Sequence, residues 1–194
     1  MKKSAWIIII VFVAILGISC VRSYNNLVSL DVAVEAQWAQ VENVYQRRAD
    51  LIPNLVATVK GYATHEQETL NGVIEARSKA SSVHIDPSNM TPEALQQFSQ
   101  AQDGLTSALS RLMVVVERYP DLKANQNFMD LQAQLEGTEN RITVERMKFN
   151  EETKSYNTAI KHFPAIIMAK IFGFNERAFF EAQPGAQTAP KVEF

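Results

Sequence analysis

From Leu27 onward, apolar residues return every seven or fourteen positions, at Leu27, Val34, Val41, Leu55 and Tyr62. Leu30, Val44 and Leu51 lie three residues behind their neighbours in that series. The spacing is that of an a/d seam with a period of about 3.5 residues, interrupted where Gln37, Arg48 and Thr58 intrude. Trp38, Tyr45, Ile52 and Val59 widen the stripe on one side, which suits a helix packed against more than one partner. The pattern continues through Leu70, Val73, Ile74 and Ala80, then dissolves between Ser81 and Asn89, where Ser, Pro and Asn mark a loop. One helix is therefore expected from Tyr24 to about Ser82. Pro53 is its disturbance: it lacks a backbone donor and crowds the preceding turn, so a kink or local break is expected after Asp50–Ile52.

Thr91-Pro92-Glu93 reads as the start of a second helix, with Thr91 as N-cap, Pro92 in the first helical position and Glu93 complementing the dipole. Leu95, Phe98, Gln102, Leu105, Leu109, Leu112 and Val116 then alternate spacings of three and four, a seam with one polar member. Tyr119-Pro120-Asp121 ends that helix and starts a third, which runs to about His162 on Leu122, Phe128, Leu131, Leu135, Ile142, Phe149, Tyr156 and Ile160. Phe163-Pro164 stops it. A short apolar segment, Ala165 to Phe174, follows, and the Pro-, Gly- and Gln-containing stretch 183–194 reads as a disordered tail.

Ahead of these helices, Met1-Lys2-Lys3 is a basic head, and no charge appears from Ser4 until Arg22. That run reaches roughly 27 Å as a helix, the short end of what spans a bilayer. Trp6 and Tyr24 flank it as interfacial aromatics do, and Lys2 with Lys3 against Arg22 places the N-terminus in the cytoplasm and the body outside. Two other readings use the same residues. Ser19-Cys20 fits the end of a lipoprotein signal, although Gly17 stands where such signals carry Leu; a cleaved signal would want an Ala-x-Ala-like site, which does not follow. An uncleaved anchor in 1–22 is preferred, ahead of a helical body in 23–182.

Helix lengths then raise a problem. A first helix from Tyr24 to Ser82 reaches roughly 90 Å, whereas the second, Pro92 to Arg118, reaches about 40 Å and covers the first only down to the level of Pro53. The stripe on 23–52 is left without an intramolecular partner, and an apolar stripe of that length does not stay in water. The expectation is a self-associating stalk whose oligomer seam is Leu27, Leu30, Val34, Trp38, Val41 and Val44; the alternative is a bend at Pro53 onto the chain's own bundle.

Composition narrows the function. The balance of 19 Lys+Arg against 21 Asp+Glu argues against a nucleic-acid partner, and a single cysteine excludes an internal disulfide or a Cys-based zinc site. His65-Glu66 begins like a zinc-protease helix, but Thr69 stands where the second His belongs, so a solvated face is the better reading. No Gly-rich phosphate loop and no local hydrolase signature is present. The group Arg47, Arg48 and Asp50 stands out. Arg48 lies on the seam, so its burial requires an acidic or carbonyl partner, and the missing N–H of Pro53 leaves carbonyls near residue 49 for an arginine to satisfy. Glu139 and Arg141, with Glu136 beside them, are the counterparts expected to complete a buried polar network with Arg48 or Arg77. The segment Ile166 to Phe174 is too short to span a membrane, and packing on the core or a subunit is preferred to lipid contact because Lys170 alone attracts anionic lipid weakly.

Several motifs together resemble the LemA family of bacterial membrane proteins. They are Tyr24-Asn25-Asn26-Leu27-Val28, Arg47-Arg48-Ala49-Asp50-Leu51-Ile52-Pro53-Asn54-Leu55-Val56, Lys60-Gly61-Tyr62-Ala63, Tyr119-Pro120-Asp121-Leu122 and Leu135-Glu136-Gly137-Thr138-Glu139-Asn140-Arg141-Ile142. Arg146, Phe149-Asn150, Tyr156-Asn157, Phe163-Pro164 and Gly173-Phe174 complete them. The resemblance implies an all-α protein: one N-terminal transmembrane helix and an elongated antiparallel bundle of three to four long helices. It implies no catalytic residues, metal or cofactor, and relatives used in magnetosome formation point toward membrane organisation. The expected function is a scaffolding protein of the bacterial inner membrane that self-associates through its helices. A tethered binding or sensory module for a protein or ligand partner is the alternative.

Overall fold

The computed structural model describes residues 2–181, with side-chain surroundings from Trp6 onward. Within them the chain is all-α. Helix α1 spans Lys2–Lys60 without interruption, followed by α2 (Gln67–Ser82), a 3₁₀ turn (Pro87–Asn89), α3 (Pro92–Val116), α4 (Pro120–Lys123), α5 (Gln126–Lys161) and α6 (Ala165–Phe172). The stretch 183–194, read above as a disordered tail, lies outside the described residues.

The first correction concerns the first helix, expected to run to about Ser82. It passes Pro53 without a break and ends at Lys60. Pro53 faces solvent, and the carbonyl it leaves without a helical donor, that of Ala49, accepts a hydrogen bond of 2.7 Å from Arg77 Nε. The proline is tolerated because a side chain from another helix replaces the missing N–H. The real turn is at Gly61–Glu66, where Lys60 and Gly61 form a helix end of the common basic-then-glycine kind. There the N–H groups of Tyr62 and Ala63 both close on the Val59 carbonyl, and α2 folds back along α1.

That turn reverses the direction of everything after it. With the N-terminal end of α1 at the bottom, α1 rises, α2 descends, α3 rises from Thr91 to the tip, and α5 descends the whole length of the body. Helix α5 has 36 residues, about 54 Å, enough to run from the level of Tyr62 to that of Leu27. Caps hold its start and that of α3: Asn125 Oδ1 accepts from the Phe128 N–H at 3.1 Å, and Thr91 Oγ1 accepts from the Ala94 N–H at 3.2 Å. At the tip, Glu66 Oε1 accepts from both Arg118 Nη2 and the Tyr119 hydroxyl at 3.0 Å, joining the α1–α2 turn to the α3–α4 turn.

The second correction concerns the stalk. Leu27, Val34, Trp38 and Val41 are fully buried inside the chain, and Leu30 and Val44 are half-buried beside them. Their partners are Ile142, Phe149, Tyr156 and Ile160 of α5, Leu95 and Phe98 of α3, Ile85 and Met90 of the connecting loop, Ala169 of α6 and Phe180. Trp38 is the centre of this half of the core, with ring centroids 5.2 Å from Phe98, 5.6 Å from Phe149 and 5.9 Å from Phe180. The other half, around Leu55, Val59, Leu70, Leu105, Leu112 and Phe128, fills the space between α1, α2, α3 and α5 toward the tip. The lower stripe needs no second copy because α5 comes down to meet it.

Below the body, Trp6 to Leu16 carry a continuous exposed apolar surface, and Ile18 and Val21 extend it toward Arg22. This part of α1 is long and apolar enough to cross a membrane.

Arg77→Ala should destabilise the body by about 1–3 kcal/mol in urea unfolding, the cost of leaving the buried Ala49 carbonyl unpaired. In a Pro53→Ala background the restored N–H reaches that carbonyl, so the same substitution should cost markedly less. Equal costs in both backgrounds would show that Arg77 does not act by replacing the helical donor.

Candidate functional site

Helix α1 delivers Arg48 into the core on the same face as Tyr45 and Ile52, and its residue is only 2% exposed. Nη1 donates to Glu139 Oε2 at 2.8 Å and to Thr106 Oγ1 at 3.1 Å, and Nη2 donates to Gln102 Oε1 at 2.7 Å. Gln102 in turn donates from Nε2 to the Ala80 carbonyl at 3.3 Å, so all four main helices meet at this guanidinium. The Tyr45 ring lies 5.2 Å from the Arg48 Cζ, and burial raises the Tyr45 phenol above its ordinary pKa despite the nearby Arg146 and Arg48.

Of the five residues expected to form a polar network, the structure brings Arg48 and Glu139 together. Arg47 stays at the surface, donating to Gln134 Oε1 at 3.3 Å; Asp50 accepts from Gln46 Nε2 at 2.7 Å, also in solvent; Arg141 is exposed. Arg77 takes the carbonyl freed by Pro53, while Arg48 takes the carboxylate.

A second polar centre was not singled out as a site by sequence reasoning. After Gly173, which closes α6 in the left-handed region at φ 78°, the chain turns back as an extended segment along α5. Two asparagines grip it. Asn157 accepts from the Arg177 N–H at 2.9 Å and donates to the Arg177 carbonyl at 2.8 Å. Asn150 does the same for Phe180, accepting its N–H at 2.9 Å and donating to its carbonyl at 3.0 Å. Seven residues of helix and three of extended chain both advance about 10 Å, so the spacing of the two amides along α5 matches that of Arg177 and Phe180 along the segment. The Phe180 ring thereby enters the Trp38 cluster, and Arg146 lies over it at 4.4 Å.

The Arg177 side chain completes this centre. Nη2 donates to Asp31 Oδ1 at 2.7 Å and Nη1 to the Pro87 carbonyl at 2.6 Å, tying α1, the loop before α3 and α5 together. Beside it, Tyr156 is held neutral: burial and the Asp31 carboxylate push its phenol up to about 12. A seven-residue spacing of Asn, each preceded by an aromatic (Phe149-Asn150, Tyr156-Asn157), was the available signal. What it grips is visible only once the chain has turned at Gly173.

Both centres engage most of their polar groups with the chain itself, although Arg48 Nε is buried without a hydrogen-bond partner among the described residues. Among the described residues no three His, Cys, Asp or Glu come together to hold a metal ion. His65 is exposed, and its neighbour Glu66 is the tip tie described above. The arrangement holds helices in register and pins the C-terminal segment.

Glu139→Ala leaves the buried guanidinium without a counter-charge and should cost about 3 kcal/mol, whereas Arg48→Met leaves only a half-exposed carboxylate that water can reach and should cost less. The reverse order in chemical unfolding would show that packing of Arg48, not its charge, dominates. Asn150→Ala with Asn157→Ala should make the chain cleavable by trypsin after Arg177 under conditions where the intact protein is not cut there.

Known proteins match this chain along most of its length. The model of the LemA family matches residues 37–194. The magnetosome protein MamQ of Magnetospirillum gryphiswaldense is 27% identical over 184 residues, covering 85% of this chain and 67% of that protein. MamQ 2 of Paramagnetospirillum magneticum is 26% identical over the same shares. Protein LemA of Metamycoplasma hominis is 23% identical over 158 residues, covering 81% of this chain and 68% of its own. None of the three bears an enzyme's name. The chain belongs to the LemA family, as its motifs suggested.

Proposed function

We propose that this LemA-family chain is a membrane-anchored structural protein: a rigid helical post, without catalysis, that self-associates and organises the membrane it stands on. The observation that carries the reading is the continuity of α1, which is one helix from Lys2 to Lys60. From Arg22 to Lys60 it rises about 57 Å, so the apolar stretch and the body move as one element. A hinge between anchor and body would suit a tethered, searching domain; a continuous helix suits a spacer that fixes height and orientation. The polar centres around Arg48 and Arg177 favour the same role, since each joins several helices and neither presents a reactive group.

The N-terminus lies in the cytoplasm and the body outside it, on the basic bias of Lys2 and Lys3. Copies meet through outer helix faces or through the membrane segment, because the Leu27 to Val44 seam is occupied internally. The names of the MamQ relatives, magnetosome proteins, fit a role in organising a membrane compartment.

A second reading, a binding module for a protein partner, rests on the furrow between α2 and α3. Gly72 and Gly104 both open onto free space there, with Glu75, Ala108 and Arg111 on its walls. Light scattering on the full chain in mild detergent separates the two readings. Self-association predicts a protein mass that is a multiple of 21.8 kDa, with crosslinks through cysteines at exposed Met147 or Val114 and none through buried Val34. A monomer at every concentration that co-purifies with a stoichiometric foreign protein, released by Gly72→Gln, would support the furrow instead.

A further inference from the structure

We infer that α6 is a membrane foot: its outer face lies in the headgroup and upper acyl region of the same bilayer that the N-terminal part of α1 crosses. The inference rests on the anchor reading above and concerns a separate surface, the residues Phe163 to Phe172.

Three observations place it there. The first is height. Phe172 and Phe174 pack on Tyr24, with ring centroids 4.7 and 6.0 Å away, and Tyr24 is three residues, about 5 Å, beyond the end of the uncharged run at Val21. Helix α6 therefore sits where an anchored α1 emerges from the bilayer, at the level that aromatic belts occupy.

The second is the division of its faces. Ala165, Met168 and Ala169 turn inward onto the lower core. Phe163, Ile167 and Ile171 turn outward, at 80%, 46% and 65% exposure, while Phe172 packs on Tyr24 with 58% of its surface still exposed. Three large apolar side chains on so short a stretch form a patch that the body leaves uncovered, on the end of the body from which the exposed apolar stretch of α1 leads. Sequence reasoning preferred packing on the core or a subunit for this segment; the core takes only the inner face.

The third is charge. Arg22 and Lys170 are exposed at this level and pair with no acidic side chain among the described residues, and Glu176 is paired with Lys161 at 2.9 Å. Basic side chains around an apolar patch match an interface bearing anionic lipid. Lys170 alone attracts such lipid weakly, but the covalently continuous anchor already holds α6 at the surface. The foot needs only to add apolar contact, and it sets the tilt of the post.

The test uses the full chain with Cys20→Ser, reconstituted in vesicles of phosphatidylcholine and phosphatidylglycerol. Single cysteines at Ile167, Ile171, Val11 and Met147 carry an environment-sensitive fluorophore, and lipid-borne nitroxides serve as quenchers. Circular dichroism confirms that each variant keeps its helix content. The expected result is strong quenching at Val11 by deep nitroxides, and quenching at Ile167 and Ile171 by shallow nitroxides that is several-fold greater than at Met147 on the outer face of α5. Quenching at Val11 with Ile167 and Ile171 indistinguishable from Met147 would overturn the foot and leave the anchor standing. No quenching at Val11 would overturn the anchor and the foot with it. Self-quenching of the Ile171 fluorophore that is relieved when labelled chain is diluted with unlabelled chain, together with no quenching there by shallow nitroxides, would overturn the foot by showing that a second copy covers this face.

Discussion

The structure depends on covering one side of a single long helix. Helix α1 carries an apolar stripe from Leu27 to Val59, and nothing in its own sequence can bury it. Helix α5 supplies the cover by descending antiparallel along nearly the whole stripe, and each other element fills what α5 leaves open. Helices α2 and α3 close the upper part. The loop through Ile85 and Met90, the N-terminal end of α3, α6 and the returning segment with Phe180 close the lower part. A straight helix drifts by about 20° per heptad against a seven-residue repeat, so the buried face moves from Leu27 and Val34 toward Trp38, Tyr45, Ile52 and Val59. The broad stripe and several partners are two sides of the same geometry.

Apolar packing of this kind leaves the helices free to slide, and polar ties at three heights remove that freedom. Glu66 joins the two turns at the tip, Arg48 joins four helices in the middle, and Arg177 with Asn150 and Asn157 holds the lower end. Burial makes the difference between them. The Arg118–Glu66 pair has an Arg side chain 65% exposed and is largely screened, whereas the Arg177 and Arg48 side chains are 9% and 3% exposed and must keep their partners. The buried ties therefore act on register more than on overall stability.

A body built this way is well suited to stand on a membrane. Its main helix continues the apolar N-terminal stretch without a break, so in the role proposed above orientation passes from bilayer to tip without a linker. The polar groups that might suggest a reactive centre are used to hold the post together, and the surfaces left for contact are the outer helix faces, the α2–α3 furrow and the apolar foot.

Much of this is legible along the chain. The apolar periodicity, the N-caps at Thr91 and the breaks at Tyr119-Pro120 and Phe163-Pro164 depend on local chemistry, and the sequence by itself determined the helices they bound. It also determined that Arg48, a charge on the seam, needs an acidic or carbonyl partner. Local signals did not decide which turn breaks the first helix. Pro53 is the stronger breaker in isolation, but Arg77, distant along the chain, supplies the missing donor, and the turn falls at Gly61 instead. A first helix read as continuous to Ser82 left nothing to return over its lower half, which is why the stripe below Pro53 read as a stalk. The turn at Gly61 sends α2 back down, so that α3 rises and α5 descends onto that stripe. The grip of Asn150 and Asn157 on Arg177 and Phe180, and the exposed foot on α6, were likewise decided only by tertiary structure. Both depend on where the chain returns after folding, and spacing along a sequence carries no information about that.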